Sequence, residues 1–323
     1  MKVISDRNVP GAYCEAFWKM RVWAKEGMSR NGPVMEAKDV FLEIYHPDER
    51  VLFDPVRLAN PFFHMMEFIW MMSGSKDVAW IKQFNKNMES YAEENGLIHG
   101  AYGHRWRNHF GVDQIIETHN LLKYDRGTRR AVIGMWDPEA DLFMDFRDLP
   151  CNTHIYATIE DNGLEFTVLN RSNDLIWGML GANVVHMTML QQILAESLGV
   201  PLASYKVFTK NLHIYKALPN FEDLWRTCTH YDPYGRETII PAPILEGTPL
   251  SEFLLECEGF VKGHKCENHW LTHTAAPMRQ AYLARIAGES GRDEALSVEA
   301  GDWREGALKY IEFKELARAN SER

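Results

Sequence analysis

The sequence predicts an α+β fold. Helical and extended patterns interleave along the chain without the regular alternation that a doubly wound parallel sheet requires. Two alternating runs, His154–Ile159 and Leu164–Leu169, flank Asp161-Asn162-Gly163, a turn suited to an antiparallel hairpin. No repeat, low-complexity tract or linker divides the 323 residues, so 1–323 is read as one domain with a less legible extension over about 220–323.

Residues 10–28 fit helix and strand about equally well. Met28-Ser29-Arg30-Asn31-Gly32-Pro33 reads as a turn and Val34–Tyr45 as strand. Asn60-Pro61 opens a helix over 62–72, stopped at Ser73-Gly74. A second helix is expected over Trp80–Asn95. Asp113–Lys123 has helical spacing and ends at Asp125-Arg126-Gly127; Arg130–Met135 is a short apolar strand. Ala182–Leu198 is a long apolar helix closed by Gly199, and Tyr205–Tyr215 is strand-like. Helices over Ser251–Val261, Thr274–Ile286 and Gly306–Arg318 complete the chain.

Hydrophobic and charged contents of 46% and 25% are ordinary for a globular protein. A net charge of -10 gives no basic field for nucleic acid, so no nucleic-acid partner is expected. No apolar run approaches the roughly 20 residues of a membrane helix. The start, MKVISDRNVPGAYCEAFW, has no signal-peptide core, and five scattered cysteines read as reduced thiols. A cytoplasmic setting is expected, or the host cytoplasm if the source is viral.

The chemistry gathers around Leu149-Pro150-Cys151-Asn152, followed twenty residues later by Arg171-Ser172-Asn173-Asp174. A free cysteine is most often a small buried hydrophobe; as a nucleophile Cys151 needs a cation to favour its thiolate. Arg171, or the pair Arg129-Arg130, can supply that field, or can be solvated surface arginines. Neighbouring side chains on a strand point to opposite faces, which leaves one of Arg129 and Arg130 free to reach another subunit. Arg171 and Ser172 offer a guanidinium and a hydroxyl, a natural phosphate clamp.

Asp174 is either a turn carboxylate or the group that orients a base or a water. Asn183 either caps the apolar helix or reads a pyrimidine edge. His213 and Tyr215 share one strand face, as hydrogen-bonded tips or as sugar-hydroxyl ligands. Glu67 stands in the apolar run Met65-Met66-Glu67-Phe68-Ile69-Trp70, where a carboxyl needs a partner or acts as a tuned acid or base. Cys257, Cys266 and His269, with Cys228 and His230, fit no common zinc spacing, and no metal is expected.

In order and spacing these residues resemble the thymidylate synthase family, over about residues 30 to 215. Glu67, Trp70 and Gly74 match its E-x-x-W-x-x-x-G helix. Gly100-Ala101-Tyr102-Gly103 with Arg105-Trp106 resembles its Y-G-x-x-W segment. Arg129-Arg130 with Trp136, Leu149-Pro150-Cys151, Arg171-Ser172-x-Asp174, Gly178 with Asn183, and His213-x-Tyr215 match the remaining motifs.

The resemblance implies a mixed sheet packed by helices, with one sheet face forming a homodimer interface and active sites shared between subunits. It implies one-carbon transfer from 5,10-methylenetetrahydrofolate to C5 of a pyrimidine nucleoside monophosphate. The Cys151 thiolate would attack C6. Arg30, Arg171 and Ser172, with Arg129 and Arg130 of a second copy, would hold the phosphate. Asp174 and Asn183 would position base and folate, and His213 and Tyr215 would bind the sugar. Glu67 and Tyr102 would organise waters for proton transfer, with Asn152 beside them. Trp70 and Met88 would border the folate.

The departures concern the product. The family usually has His where this chain has Asn152, Asp where it has Asn211, and two Trp where spacing gives Met88 and Tyr91. One extra residue separates Gly178 from Asn183, and the final residues are polar rather than apolar. The resemblance implies that these positions lie around the folate during hydride transfer. Hydroxymethylation, with water added to the exocyclic methylene, is therefore favoured over methylation by a thymidylate synthase. Asn183 favours dUMP, with dCMP or CMP as alternatives. In another functional class stands an inactive nucleotide- or RNA-binding dimer, against which the intact Cys151, Arg171 and Asp174 argue.

Overall fold

The structure, a computed structural model, describes residues 1–226, 232–236 and 239–321. Strand β1 (Lys2–Asp6) leads into helix α1 (Val9–Trp23), then β2 (Lys25–Ser29) and the long β3 (Gly32–Ile44). Helix α2 (Pro61–Met72) follows, then α3 (Gln114–Tyr124), β4 (Val132–Gly134), β5 (Asn152–Glu160), β6 (Gly163–Asn170) and β7 (Asn173–Asp174). After α4 (Asn183–Leu198) and β8 (Leu202–Tyr215), the chain is helical at α5 (Leu250–Val261), α6 (Ala276–Ile286) and α7 (Gly301–Ser321).

The strands form one sheet in the order β1-β3-β8-β6-β5-β4, with β2 added against β3 and β7 against β8. β1 on β3 and β6 on β8 are parallel, while β3–β8, β5–β6 and β4–β5 are antiparallel. The α+β expectation and the mixed sheet hold. So does the hairpin: β5 and β6 pair through Glu160 opposite Gly163, with Asp161 and Asn162 as the turn.

Helix α2 is the pillar of the core. The Asn60 side chain accepts from Phe63 N at 3.1 Å and Pro61 sits in the first turn, so the start is capped as its sequence predicts. Every residue of α2 except Glu67 is buried, each large apolar side chain contributing about 1.5–3 kcal/mol relative to exposure. α4, α5, α6 and α7 all pack against it, so the C-terminal extension shares this core.

Three sequence expectations change. Trp80–Asn95 is not one helix: α-helix covers only Val78–Ile81, and a 3₁₀ helix covers Lys86–Tyr91. The Asn85 side chain accepts from Asn87 N at 3.1 Å, a local bond that competes with a continuing helix. The ambiguous segment 10–28 resolves into α1 and β2, and β1 precedes it. Cys14, on α1, is disulfide-bonded, so the reading of five reduced thiols does not hold for it; Cys151, Cys257 and Cys266 are free. Cys228 and His230 lie outside the described residues. Among the described residues no helix is long and apolar enough to cross a membrane.

Candidate active site

Cys151 immediately precedes β5 and is partly exposed, between Tyr102 and Arg171. Two backbone bonds fix it. Its N–H donates to Tyr102 Oη at 3.3 Å, and its carbonyl accepts from Arg171 N at 3.0 Å. Arg171 wraps the same loop: Nε donates to Pro150 O at 2.8 Å and Nη2 to Leu149 O at 3.1 Å. Nη2 also lies 3.9 Å from Cys151 Sγ, and the guanidinium stands over the Trp136 ring at 5.5 Å. Burial pushes the Cys151 thiol up, and Arg171 is the strongest opposing influence.

Tyr102 accepts from both Cys151 N and Asn152 N, the latter at 3.4 Å. Enclosure holds its phenol well above the ordinary range. The glycine beside it is structural. A Cβ on Gly103 would lie 2.0 Å from the Met71 carbonyl oxygen, so α2 can approach Tyr102 only across a glycine.

Glu67 is the polar interruption of α2. Its Oε2 is buried without a hydrogen-bond partner. His186 Nε2 lies 3.4 Å away but donates to His64 O at 3.2 Å. Burial pushes Glu67 up to about 8, with Asp148 adding to the rise, and pushes His186 down to about 3. The two groups are therefore both neutral near pH 7, and their contact is not an ion pair. Asp148 is itself raised to about 6 by burial, opposed by Gly100 N–H, Arg105, Arg171 and Arg30. Sequence reasoning missed Asp148 and His186. The available signal was a carboxylate three residues before Cys151 and an imidazole in the apolar run of α4.

Asp174 and His213 face each other across β7 and β8. Asp174 Oδ1 accepts from Ile176 N at 2.7 Å and Trp177 N at 2.8 Å, while Oδ2 is buried without a partner. Burial raises Asp174 and lowers His213, and each opposes the other's shift. Ser172 Oγ lies 3.5 Å from His213 Nδ1, and the His213 and Tyr215 rings meet edge to face at 5.1 Å. One strand end thus presents Ser172, Asp174, His213 and Tyr215 together.

The segment before Asn183 is kinked. Leu175–Ala182 leaves helical geometry at Leu180 and Gly181, and regular helix resumes at Asn183. Gly178 has no room for a Cβ, with Asn173 Oδ1 at 2.2 Å and Asn183 Nδ2 at 3.1 Å from that position. Asn183 Nδ2 donates to Asn173 Oδ1 at 3.4 Å, which leaves the Asn183 Oδ1 and one N–H uncommitted. Trp177, on the same turn, is 52% exposed and stacks on the buried Arg57 at 4.6 Å.

Asn152 is buried, and its Oδ1 accepts a short hydrogen bond from Asn170 Nδ2. Its own Nδ2 and Asn170 Oδ1 have no partner. Asn211 Nδ2 donates to Glu36 Oε2 at 2.9 Å, and Glu36 pairs across the sheet with His213. The carboxylate absent from position 211 is thus supplied from β3.

The remaining expected residues are placed unevenly. Arg30 donates to Arg147 O at 2.9 Å and Phe146 O at 3.4 Å, on the segment leading to Cys151. Arg129 and Arg130 are exposed at the start of β4. Trp70 is 2% exposed and its Nε1 donates to Asp77 O at 3.0 Å, a packing position rather than an open cofactor wall. Met88 is also buried. Tyr91 is the more exposed residue of that segment: burial chiefly, then the charges of Asp148, Asp174, Tyr215 and Glu67, raise its phenol.

The family model described as thymidylate synthase matches residues 60–232, which covers the helix of Glu67, the nucleophile loop and the strand end at His213. The chain belongs to the thymidylate synthase family. It is 38% identical to a deoxyuridylate hydroxymethyltransferase of Pseudomonas phage M6, over 98% of this chain and 95% of that relative. A deoxyuridylate hydroxymethyltransferase of Bacillus phage SP01 is 33% identical over 58% of this chain and 51% of its own. A putative thymidylate synthase of Methanopyrus kandleri is 35% identical, over 36% of this chain and 54% of its own length.

Proposed function

We propose that the protein hydroxymethylates dUMP at C5, with 5,10-methylenetetrahydrofolate as one-carbon donor. The observation that carries this reading is the likeness to the phage M6 enzyme along nearly the whole of both chains. That likeness extends well past residue 232, where the family model stops. The thiol of Cys151 and the guanidinium of Arg171 beside it are in keeping with it.

Cys151 Sγ adds to C6 of the pyrimidine, which makes C5 nucleophilic; C5 would then lose its proton to a base, and departure of the thiolate from C6 would restore the C5–C6 double bond and free the product. Ser172, Arg171 and Arg30 line the phosphate side of the loop, joined by Arg129 and Arg130 of a second copy across the sheet face. Val132 and Tyr156, opposite each other on β4 and β5 and both exposed, support such a homodimer. Asn183, with its Nδ2 directed at Asn173, offers Oδ1 to N3–H of uracil and its remaining N–H to O4. His213 and Tyr215 take the sugar hydroxyl. Glu67, protonated near neutrality, supplies a proton at O4 of the base.

The residues present fit a folate. Asp174 Oδ2, buried without a partner, is the acceptor that a pterin N–H requires, and Trp177 and Tyr91 present aromatic surface at the cleft. When bound, the folate supplies a carbon at the oxidation level of formaldehyde, and hydration of that carbon yields hydroxymethyl with tetrahydrofolate unoxidised. Asp148, a carboxyl tuned near neutrality beside Cys151, is the base we assign to that water.

Incubation with methylenetetrahydrofolate and dUMP, dCMP or CMP in turn, with mass spectrometry and dihydrofolate absorbance, tests the reading. A hydroxymethyl product from dUMP without dihydrofolate is expected. A methyl product with stoichiometric dihydrofolate makes the protein a thymidylate synthase. Absence of any C5 product overturns both.

A further inference from the structure

We propose that His269, His273 and Glu299 form a binding site for a divalent metal ion of the zinc class, in the C-terminal third of the chain and separate from the nucleotide cleft. One donor atom from each of the three lies within 4.8 Å of the others. Zinc holds nitrogen and oxygen ligands at roughly 2.0–2.2 Å, so closure about one ion requires only small rotations of side chains. All three residues are exposed.

The frame beneath them is fixed. His269 and His273 are one helical turn apart, where Leu271–Ala275 leads into α6, and their rings stack at 4.0 Å. Glu299 comes from the turn before α7 and places Oε2 2.8 Å from His269 Nε2. Its backbone is tied to the same helix: Glu299 N donates to His273 O at 2.9 Å and Ala300 N to Thr274 Oγ1 at 3.2 Å.

His273 also has the outer support that metal ligands use. Its Nδ1 lies 3.2 Å from the His269 carbonyl oxygen and 2.8 Å from Thr272 Oγ1, which orients the ring and leaves Nε2 as the free donor. Two imidazoles and one carboxylate suit zinc, nickel or copper and do not suit magnesium or calcium. Exposure leaves the fourth position to water. The thiols that the sequence sets beside His269 do not join it. Cys257 is buried in α5, and Cys266 Sγ is directed at Glu256 O and His264 O at 3.6 and 3.9 Å.

An ion held here links the start of α6 to the start of α7 and stabilises the extension. Calorimetric titration of the untagged full chain with zinc chloride is the test, with magnesium chloride as control. One zinc per chain is expected, with a rise in Tm of roughly 3–6 °C at a hundredfold excess over Kd and none with magnesium. His273→Ala and Glu299→Gln each weaken binding at least about tenfold with the circular dichroism spectrum unchanged. Cys151→Ser binds zinc as the parent does. Zinc binding unaltered in His273→Ala, zinc binding lost in Cys151→Ser, or no binding by the parent overturns the site.

Discussion

The guanidinium of Arg171 lies 3.9 Å from Cys151 Sγ while donating to the carbonyls of Leu149 and Pro150. The group that we assign to an incoming phosphate therefore also shapes the Cys151 loop and opposes the effect of burial on the thiol. These three duties reside in one fork because guanidinium presents several donors in fixed geometry, which a lysine cannot reproduce.

Removing that fork makes the nucleophile less acidic. Burial already raises the Cys151 thiol, and Arg171 opposes it, so Arg171→Ala moves the thiol further up. Alkylation by iodoacetamide, followed against pH, is expected to shift its midpoint upward and to slow at a fixed pH near neutrality. Arg171→Lys lies between, since charge persists but the loop loses two carbonyl bonds. Superimposable profiles for parent and Arg171→Ala would show that Arg171 does not govern the thiol.

Much of this was legible in the sequence, for identifiable reasons. Asn60-Pro61 announced α2 and Asp161-Asn162-Gly163 announced the hairpin, because capping and turn chemistry act over a few residues. Cys151, Arg171, Asp174 and His213 were legible as motifs, and the fold brings them to one strand end. Asp148 and His186 were not, because each matters through what packs beside it from a distant element. Nor was the kink at Leu180 and Gly181, which interrupts the apolar run before Asn183. Trp70 and Met88 were placed by spacing alone, and the structure buries both.

Gly103 tests the packing behind Tyr102. A methyl there would stand 2.0 Å from Met71 O and 2.4 Å from its Cα, both backbone atoms of α2. Neither is a flexible end that can swing aside. Gly103→Ala is expected to destabilise the protein by about 2–3 kcal/mol or more. Activity should fall further than the folded fraction does, because displacement of Tyr102 loosens the hold on Cys151 N and Asn152 N. Urea denaturation beside kcat measured on the folded fraction separates the two effects. An unchanged midpoint would mean that α2 and this turn lie further apart than the structure places them.

Glu67 and Asp148 are expected to set the pH dependence of stability and activity. Glu67 is raised by burial to about 8 from an ordinary value of 4.5, so the folded state keeps a proton that the unfolded state releases. The stability tied to that proton is complete below about 4.5 and is lost as pH rises through about 8. Glu67→Gln removes this dependence, so urea midpoints of parent and variant should diverge as pH climbs from 5 to 8, in the variant's favour. If protonated Glu67 is the acid at O4, kcat/KM of the parent falls above pH 8, and Asp148→Asn moves that fall to lower pH, because Asp148 adds to the rise of Glu67. The same variant should lower the Cys151 alkylation midpoint, since Asp148 also raises the thiol. Loss of the water-activating base would act on the other side of the profile: it would abolish the acidic limb near pH 6, where Asp148 titrates, and lower kcat. Asp148→Asn thus reports on both roles at once. A variant that keeps both limbs where the parent has them would remove Asp148 from the chemistry altogether.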